Sequence, residues 1–428
     1  MTVKVERAKL SFQKIDHEGS DQKPATGIYL VGAGVVGAAI VQAHLDAGVS
    51  IWIADQDEAA LAVAIERLRF SDAEWQVSSP RELGASLMAV EFFSRQEQVA
   101  IARTLVIESI PEKLDIKRAF FEEAEEVFGD EAVLCTNTST LSVSRIADSL
   151  KHPERFLGMH FFMPVHDRPA VEVIAGKRTE ENTIQQGFRH VERLGKWPLR
   201  VGDSPGFVVN RLLSPYLNEA MLLLCRGVSA KRIEDAALAY GMPISPLELI
   251  DWIGTPTMFD AGRAFWQAFP ERIDPAPILV AMIKNKRFGR ATSKGFYDYE
   301  NQHRSSDLAD QTFGLSEKYR RDEQDFTESH LLEMLTIPMW IEASLALRAG
   351  VIGDHADFDL AMRGGLGFDS GEPWHTFFDA MGSQAILAAV ETWATLTKSM
   401  NAPFELRDLL SRKSPTDAMI AYGGESWT

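Results

Sequence analysis

Three side chains with the chemistry needed for proton transfer lie near the middle of the chain. Ser139 and His160 each follow a short, apolar, β-prone run, and Glu172 lies within a third such run. In an open α/β sheet, the carboxyl ends of the strands line the ligand crevice. A hydroxyl, an imidazole and a carboxylate that meet at this edge could move a proton to or from a substrate. A serine or histidine at a strand end is more often a hydrogen-bonded structural residue, so the prediction depends on the surrounding elements.

The clearest of these elements is a glycine-rich turn between a strand and a helix. Ile28 to Val31 predicts a buried strand, G-A-G-V-V-G follows it directly, and the helical pattern after it stops at Gly48. Glycines at this spacing permit a tight turn, let backbone amides approach a pyrophosphate and allow the helix to pack close to the strand. The helix N-terminus then presents unpaired N–H groups to the phosphates. The predicted cofactor contacts in this turn are Gly32, Gly34, Val35, Val36 and Gly37.

An acidic residue after the second strand indicates which dinucleotide binds. Ile51 to Ala54 predicts that strand, and Asp55 follows it, 18 residues after Gly37. A carboxylate at this position accepts hydrogen bonds from the adenosine ribose hydroxyls and repels a 2′-phosphate. The combination of turn, helix and acid therefore predicts NAD as the cofactor, in preference to NADP.

Composition excludes several classes of partner. The formal net charge is −17 and the isoelectric point is near 5.1, so nucleic acid and anionic membrane surfaces are repelled. The two cysteines, Cys135 and Cys225, form neither a disulfide framework nor a metal-binding spacing. No apolar run reaches membrane-spanning length, and the first residues lack a secretory signal. We therefore expect a cytoplasmic protein that binds no metal, binds no nucleic acid and does not insert into membranes.

The chain divides into five predicted segments. Residues 1–25 form a polar N-terminal arm, and residues 26–204 form a Rossmann-type NAD-binding domain. Residues 205–301 (copy 1) and 326–428 (copy 2) are helical patterns rich in Leu, Met and Ala, joined by a charged linker, 302–325. The predicted fold class is α/β, with a Rossmann-type domain followed by two tandem all-helical domains.

Internal similarity supports the duplication of the helical domain. Glu219 and Gly227 match Glu342 and Gly350 at an offset of 123 residues, and D-W-I-G from Asp251 matches D-A-M-G in copy 2. A duplicated helical unit that packs on itself explains this pattern.

Several polar residues lie near predicted helix starts or turns. Glu112 and Lys117 begin a helix that runs to about Phe128, where charge complementarity and a solvated face explain both residues without a ligand. Asn210 lies in the first turn of copy 1, where its amide either bonds within the interior or faces the crevice. The basic run Lys284 to Arg290 is either a solvated turn or a patch that steers a phosphate-bearing tail.

The motifs taken together resemble the 3-hydroxyacyl-CoA dehydrogenase family. The resemblance is carried by GAGVVG, ESIPE, NTSTL, GMHFF, VEVI, DSPGFVVNRLL, LELIDWIG and KRFG…KGFYDY, and it extends from about residue 26 to the last turns. With its repeated helical domain, the chain looks like the dehydrogenase half of the bacterial fatty-acid-oxidation α-subunit, without the hydratase/isomerase domain.

The resemblance implies a reaction and a role for each catalytic residue. Hydride would pass reversibly between C3 of an (S)-3-hydroxyacyl-CoA and the nicotinamide of NAD. His160 would take the hydroxyl proton, and Glu172 would hydrogen-bond the other imidazole nitrogen. Ser139 and Asn210 would donate to the substrate oxygen. The implied NAD contacts outside the glycine turn are Asp55, Gln56, Glu112, Lys117 and Asn137.

Three departures from the family pattern bear on the substrate. Met163 stands where the family has asparagine in HFFNP, and Ser245 stands where it has glycine in MGP. The segment Ala59 to Arg103, which in the family includes a helical arm over the CoA tail, looks shorter and lacks a basic face. These differences concern the acyl-chain shape and the requirement for CoA rather than NAD binding.

Two alternatives to the acyl-CoA reading are open. The enzyme could oxidise a small free hydroxy acid or another carrier-bound hydroxyacyl group, or the chain could be a weakly active NAD-binding scaffold. An acyl-CoA partner is the leading prediction, with association with other β-oxidation enzymes. The protein is expected to be a monomer or a homodimer. A monomer is possible because copy 2 could occupy the place that a partner subunit takes in relatives with a single copy.

Overall fold

A computed structural model describes residues 27–68, 73–78, 88–94 and 104–424, with only the backbone described in the second and third ranges. The predicted N-terminal arm, 1–25, lies outside the described residues. Part of the segment Ala59 to Arg103 also lies outside them, so the predicted shortening of the arm over the CoA tail remains a prediction.

The first domain is built on a sheet of nine described strands. Their order across the sheet is β3-β4-β2-β1-β5-β6-β7-β8-β9. In chain order the strands are β1 (Ile28–Val31), β2 (Ile51–Asp55), β3 (Ala73–Ser78), β4 (Met88–Ser94), β5 (Leu105–Glu108), β6 (Val133–Thr136), β7 (Phe156–Phe161), β8 (Ala170–Ala175) and β9 (Trp197–Gly202).

The centre of the sheet is parallel, as a Rossmann-type domain requires. Strands β2, β1, β5, β6 and β7 pair in parallel, and every residue of β5, β6 and β7 is buried. Strands covered on both faces read as continuous apolar runs, which is why the sequence predicted them. Strands β3 and β4 extend the sheet beyond β2 in antiparallel pairing, so the parallel pattern stops at β2.

Helices cover both faces of this sheet. In chain order they are α1 (Val35–Asp46), α2 (Glu58–Arg67), α3 (Leu114–Phe128), α4 (Val143–Ala147) and α5 (Glu181–Arg193), with a 3₁₀ turn at Pro153–Arg155. Helix α5 packs against the β7 to β9 side, and α1 follows the glycine turn directly. The predicted α/β architecture of the first domain is therefore confirmed.

Copy 1 and the segment after it are almost entirely helical. They contain α6 (Val209–Cys225), α7 (Ala230–Tyr240), α8 (Pro246–Ile253), α9 (Thr255–Ala268), α10 (Pro277–Lys284), a 3₁₀ turn (Arg290–Thr292), the small hairpin of β10 (Tyr299–Glu300) and β11 (His303–Arg304), and α11 (Asp310–Lys318). The predicted linker, 302–325, thus holds a helix. Buried Thr312 in α11 donates a hydrogen bond to the Gly295 carbonyl, so this segment is folded against copy 1.

Copy 2 contains α12 (Glu328–Arg348), α13 (Asp357–Leu360), a π-helical turn (Ala361–Leu366), α14 (Thr376–Met381), α15 (Ser383–Trp393), a 3₁₀ turn (Lys398–Met400), α16 (Phe404–Leu410) and α17 (Pro415–Gly423). Helix α12 packs against α6, and each of these two helices contains a proline at the matching position, Pro215 and Pro338. The two central helices therefore form a shared core between the copies.

Helix α6 connects this core to the sheet. Every residue of α6 except Asn210 is buried. A helix that is apolar around most of its circumference must be enclosed by other elements, and α8, α9, α10 and α12 enclose this one. Its start is joined to β8 by hydrogen bonds from the Val208 and Val209 N–H groups to Glu172, and Asn210 is the next residue of the helix.

Candidate active site

The predicted histidine, glutamate and serine form one hydrogen-bonded chain. Strands β7 and β8 are antiparallel, with His160 directly opposite Glu172. The His160 Nδ1 atom lies 2.7 Å from Glu172 Oε2, and His160 Nε2 lies 3.0 Å from Ser139 Oγ. Because an ionised carboxylate only accepts, the proton of the neutral imidazole is held on Nδ1. Nε2 is then free to accept a proton from a hydroxyl.

Glu172 also holds the start of the central helix of copy 1. Its Oε1 atom accepts hydrogen bonds from the backbone N–H groups of Val208 and Val209, each at 3.0 Å. The side chain is fully buried, and these donors compensate the buried charge at the positive end of the helix. One carboxylate therefore fixes both the histidine ring and the position of α6.

Asn210 follows the two residues that donate to Glu172. It is partly exposed, and its side-chain amide makes no hydrogen bond to any residue in the described part of the chain. An amide without a protein partner, one residue from the Glu172 contact, is available to a ligand. The structure thus joins Ser139, His160 and Glu172 by hydrogen bonds and places Asn210 directly after Val209, which donates to Glu172.

Aromatic rings enclose the histidine. The Phe162 ring centroid lies 4.8 Å from that of His160 at an interplanar angle of 71°, and the Phe207 ring lies 5.9 Å away. His160 itself is 5% exposed. Apolar surroundings strengthen the electrostatic interactions among the buried polar groups, so the ring is held in one orientation.

Glu112 organises the loop that carries Ser139. Its Oε1 atom accepts from the backbone N–H groups of Ser139 and Thr140, each at 3.0 Å, and from the hydroxyls of Thr138 and Thr140 at 2.6 and 2.9 Å. Burial raises the pKa of Glu112, but the charge of Lys117 and these hydrogen bonds outweigh burial and hold it below the usual value. The carboxylate therefore stays ionised and fixes the backbone at Ser139.

Lys117 is buried, and the expectation of a solvated face at this position is wrong. Only 1% of the side chain is exposed, and its ammonium group contacts Glu108 and lies 3.3 Å from Glu112 Oε2. Glu108, which sequence reasoning missed, is fully buried and also accepts from Thr136 Oγ1 at 2.7 Å. Burial raises the pKa of Glu108, and Lys117 opposes that rise. The sequence feature that could have identified Glu108 is its position as the last residue of β5, at the start of E-S-I-P-E.

The glycine turn has the shape that a dinucleotide requires. A Cβ atom at Gly32 would lie 2.3 Å from the Ser109 carbonyl oxygen, and one at Gly37 would lie 1.9 Å from the Gly32 oxygen. By contrast, no atom lies within 4 Å of the Cβ position at Gly34, which precedes α1 and provides no side-chain cap. The uncapped helix start therefore faces open space, as pyrophosphate binding requires.

The remaining predicted NAD contacts lie around the same edge of the sheet. The two Asp55 oxygens accept from the backbone N–H groups of Ala33 and Asp57, at 2.6 and 2.9 Å, and each oxygen can accept a further hydrogen bond. Gln56 is exposed, and Asn137 Oδ1 accepts from Phe161 N–H at 2.9 Å. Asn137 thus joins the ends of β6 and β7. These residues fit NAD, which the first domain would hold over the carboxyl ends of its strands.

The two point departures lie in different environments. Met163 is 45% exposed and, with Val35 and His166, lines a cavity of about 390 Å³ beside α1. Ser245 is fully buried immediately before α8. Met163 is therefore accessible to a ligand, whereas Ser245 acts through packing.

The basic run of copy 1 divides into structural and exposed residues. Arg287 is 3% exposed and donates to the Gly295 carbonyl at 2.7 Å and to Asp298 at 2.6 Å. Arg290 lies over the Trp252 ring at 4.2 Å. Neither arginine is free in a solvated turn, and the exposed basic residues of the run are Lys284 and Lys286.

In the described ranges, no group of three or more His, Cys, Asp or Glu side chains is arranged to hold a metal ion. Of the helices the structure describes, none combines the length and apolarity needed to cross a bilayer.

Comparisons with known proteins identify the family. The profile of the 3-hydroxyacyl-CoA dehydrogenase NAD binding domain matches residues 27–204, and that of the 3-hydroxyacyl-CoA dehydrogenase C-terminal domain matches residues 206–299. Fatty acid oxidation complex α subunits from Psychrobacter sp. (strain PRwf-1) and Psychrobacter arcticus are 30% and 31% identical over 89% of this chain. The chain spans about half of their length, 54% in each case.

Solved structures show the same fold. A 3-hydroxybutyryl-CoA dehydrogenase from Escherichia coli K12 covers 90% of this chain and 98% of its own, with a TM-score of 0.70 and 23% identity. The (S)-3-hydroxybutyryl-CoA dehydrogenase PaaH1 from Ralstonia eutropha covers 65% of this chain and 100% of its own, with a TM-score of 0.53 and 29% identity. The chain belongs to the 3-hydroxyacyl-CoA dehydrogenase family, and its first domain is an NAD-binding domain.

Proposed function

We propose that this protein catalyses the reversible, NAD-dependent oxidation of an (S)-3-hydroxyacyl-CoA to a 3-oxoacyl-CoA, as one step of fatty-acid oxidation. The observation that supports this proposal most strongly is the hydrogen-bonded chain Ser139–His160–Glu172, with distances of 3.0 and 2.7 Å, in the same sheet whose strand β1 leads into the glycine turn. The family supports the reaction type, and similarity to a 3-hydroxybutyryl-CoA dehydrogenase supports the acyl-CoA class of substrate.

In this proposal His160 is the general base. The C3 hydroxyl of the substrate takes the place of Ser139 as the hydrogen-bond donor to Nε2, and its proton passes to that nitrogen as the C–O bond becomes a carbonyl. NAD, when bound, supplies the acceptor for the hydride that leaves C3. One proton and one hydride thus leave the alcohol, which balances its oxidation to a ketone.

Glu172 stabilises the protonated imidazole. Its Oε2 atom accepts from Nδ1 at 2.7 Å, so the positive charge that forms on His160 is paired at once. The two backbone donors on Oε1 keep the carboxylate in place during this change. Glu172 therefore acts through the orientation and charge of the histidine.

Ser139 and Asn210 are proposed to orient the substrate oxygen. The Ser139 hydroxyl already lies at hydrogen-bond distance from the base, and the Asn210 amide has no partner among the described residues. Donors on the reacting oxygen would hold C3 toward the nicotinamide and stabilise the carbonyl in the reverse direction. These assignments predict loss of turnover, rather than loss of NAD binding, when either residue is removed.

An apolar cavity beside the site supports an acyl substrate. It encloses about 280 Å³ between α6, α9 and α10, and its lining includes Ser214, which donates to the Asn210 carbonyl at 2.8 Å. The two residues are one helical turn apart on α6. Met221, Met258, Phe259 and Trp266 form much of the apolar wall. We propose that the acyl chain extends from C3 along α6 into this cavity.

A chain-length series tests the cavity. Gly262 lines it, and no atom lies within 4 Å of its Cβ position. Gly262→Leu should lower kcat/KM for a ten-carbon substrate by about fourfold for each methylene it displaces and leave acetoacetyl-CoA unaffected. Gly314→Leu in α11, with equally open space, is the matched control. Equal losses of kcat/KM on short and long substrates would contradict the placement of the acyl chain in this cavity.

The primary test measures NADH oxidation with acetoacetyl-CoA and with free acetoacetate. The proposal expects turnover with the CoA ester and at least 100-fold lower kcat/KM with the free acid, because the acid lacks the binding energy of the CoA tail (roughly 3 kcal/mol at this ratio). Comparable turnover with acetoacetate would favour a dehydrogenase of small hydroxy acids. Tight NADH binding without turnover on a broad substrate panel would favour an NAD-binding scaffold.

A further inference from the structure

Copy 2 contains a π-helical turn that packs on the active-site side of the first domain. The turn covers Ala361–Leu366, continues α13 and contacts both β8 and α6. Single π-helical turns are rare and occur often at functional sites. Here Gly364 and Gly365 lie side by side in the turn, both buried.

Gly364 presses on the strand that carries Glu172. A Cβ atom at Gly364 would lie 2.6 Å from the Ala170 Cβ and 3.0 Å from the Ala170 nitrogen. Ala170 precedes Glu172 by two residues on β8, so the two side chains emerge from the same face of the strand. The strand can take this position only because Gly364 has no side chain.

Gly365 packs against two residues that contact the pair His160 and Glu172. Its Cβ position lies 2.9 Å from Val209 Cγ2 and 3.4 Å from Phe162 Cε2. Val209 donates its N–H to Glu172, and the Phe162 ring packs on His160. Each neighbour of Gly365 therefore contacts one member of the catalytic pair directly.

We propose that Gly364 and Gly365 are positioning residues for the reaction, and that the backbone of the π-helical turn forms the surface against which Glu172 and His160 are aligned. Copy 2 then contributes to catalysis without supplying a reacting group. The inference rests on the proposed dehydrogenase function. A purely structural role for the glycines predicts loss of stability alone, whereas positioning predicts loss of turnover in a folded enzyme that still binds NAD.

The test begins with Gly365→Ala in the full-length protein. The added methyl group must displace Val209 or Phe162 and so misalign the pair. We expect kcat to fall roughly 10- to 100-fold while KM for NAD stays within about twofold, because small displacements from the reactive geometry are costly. Gly314→Ala in α11, where no atom lies within 4 Å of the Cβ position, is the matched control and should leave kcat unchanged.

A second variant changes the other partner of the contact between Gly365 and Val209. Val209→Ala removes both γ carbons and opens a gap against the turn, so it should also lower kcat. Gly365→Ala with Val209→Ala refills that gap, and its kcat should recover to within about threefold of the wild type, well above that of Gly365→Ala alone. Additive losses in the double variant, or unchanged kcat in both single variants, would overturn the proposal.

Crystal structures of the same variants separate this inference from the proposed function. If the wild type shows no turnover with 3-oxoacyl-CoA substrates, the proposed function fails, and the geometry alone decides the inference. The separation of His160 Nδ1 and Glu172 Oε2, 2.7 Å in the native chain, should lengthen in Gly365→Ala and return in the double variant. An unchanged separation in Gly365→Ala would remove the glycines from this role.

Discussion

The two helical copies differ most where their central helices begin. In copy 1 the first turn of α6 is held by Glu172 from the first domain, which accepts from Val208 and Val209. In copy 2 the first turn of α12 is held locally, because Thr327 and His330 form a reciprocal capping box. One helix start is thus joined to the site, whereas the other is self-contained.

A second difference lies at the matched position in the two helices. Copy 1 has Asn210, whose amide has no partner among the described residues, and copy 2 has Glu333 at the offset of 123, which accepts from Trp393 Nε1 at 2.9 Å. The matched position therefore carries a polar group without a partner among the described residues in copy 1 and a hydrogen-bonded one in copy 2.

The shared core between the copies is reciprocal in spite of these differences. Glu219 in copy 1 accepts from Thr397 and Ser399 in copy 2, at 2.6 and 2.8 Å. Its counterpart Glu342 in copy 2 pairs with Arg211 and Arg272 in copy 1. The matched glutamates each reach into the opposite copy, so the interface retains an approximate two-fold relationship.

The largest expected difference comes from changing the two residues that hold the helix starts. Glu172→Gln should lower kcat by roughly 10²- to 10⁴-fold, because His160 loses its charged partner. Thr327→Ala should cost about 1 kcal/mol of stability through the lost cap and leave kcat unchanged. Steady-state kinetics and thermal unfolding of both variants measure this contrast. Similar kinetics in the two variants would end the distinction between the helix starts.

Next in size is the effect of breaking the reciprocal core. Glu342→Met leaves the Arg211 cation, only 1% exposed, without its carboxylate and should lower the free energy of unfolding by about 3–5 kcal/mol. Glu219→Met should lower the free energy of unfolding by a similar amount, because it leaves the equally buried Arg226 without its carboxylate partner. Glu328→Met, which removes an exposed ion pair between α12 and Arg232 of α7, is the control and should cost at most about 1 kcal/mol. Chemical denaturation would contradict reciprocity if only one core variant were destabilised.

A smaller, pH-dependent difference is expected at the matched aspartates. Burial raises the pKa of Asp251 in copy 1 to about 6, against hydrogen bonds from Phe296, Tyr297 and Tyr299 that lower it. Because the folded state holds this proton more tightly than the unfolded state, the contribution to stability is complete below about pH 4. It is lost as the pH rises through 6, by about 3 kcal/mol in total.

Asp251→Asn removes this titration, so its stability relative to the wild type should improve between pH 4 and pH 7. Asp379 in copy 2 is exposed and accepts from Thr416, so Asp379→Asn should change stability by about 0.5 kcal/mol or less at neutral pH. Thermal unfolding across this pH range tests both variants. A constant difference between Asp251→Asn and the wild type would contradict the raised pKa.

The sequence predicted those features that local patterns encode. Buried parallel strands read as apolar runs, and the turn at Gly32 to Gly37 has spacing that only a dinucleotide-binding unit explains. The α/β fold class and the NAD-binding domain are confirmed. The order of polar residues after the strands also pointed to Ser139, His160 and Glu172, which the structure places within hydrogen-bond distance of one another.

Features that depend on tertiary burial could not be read from the chain. Lys117 has the sequence context of an exposed helix start, and only the fold shows that Glu108 and Glu112 enclose its ammonium group. The helix α11 lies in a charged segment that resembled a linker. The sequence did not predict this helix because its buried face is narrow. Contacts such as those of Gly365 join segments more than 150 residues apart, which no local period encodes.

We propose that His160, oriented by Glu172, transfers the substrate proton. The most direct test compares kcat for NADH oxidation with acetoacetyl-CoA in the wild type and in His160→Ala, together with the affinity of each for NADH. We expect a loss in kcat of roughly 10²- to 10⁴-fold with NADH affinity largely retained. Unchanged turnover in His160→Ala would contradict it.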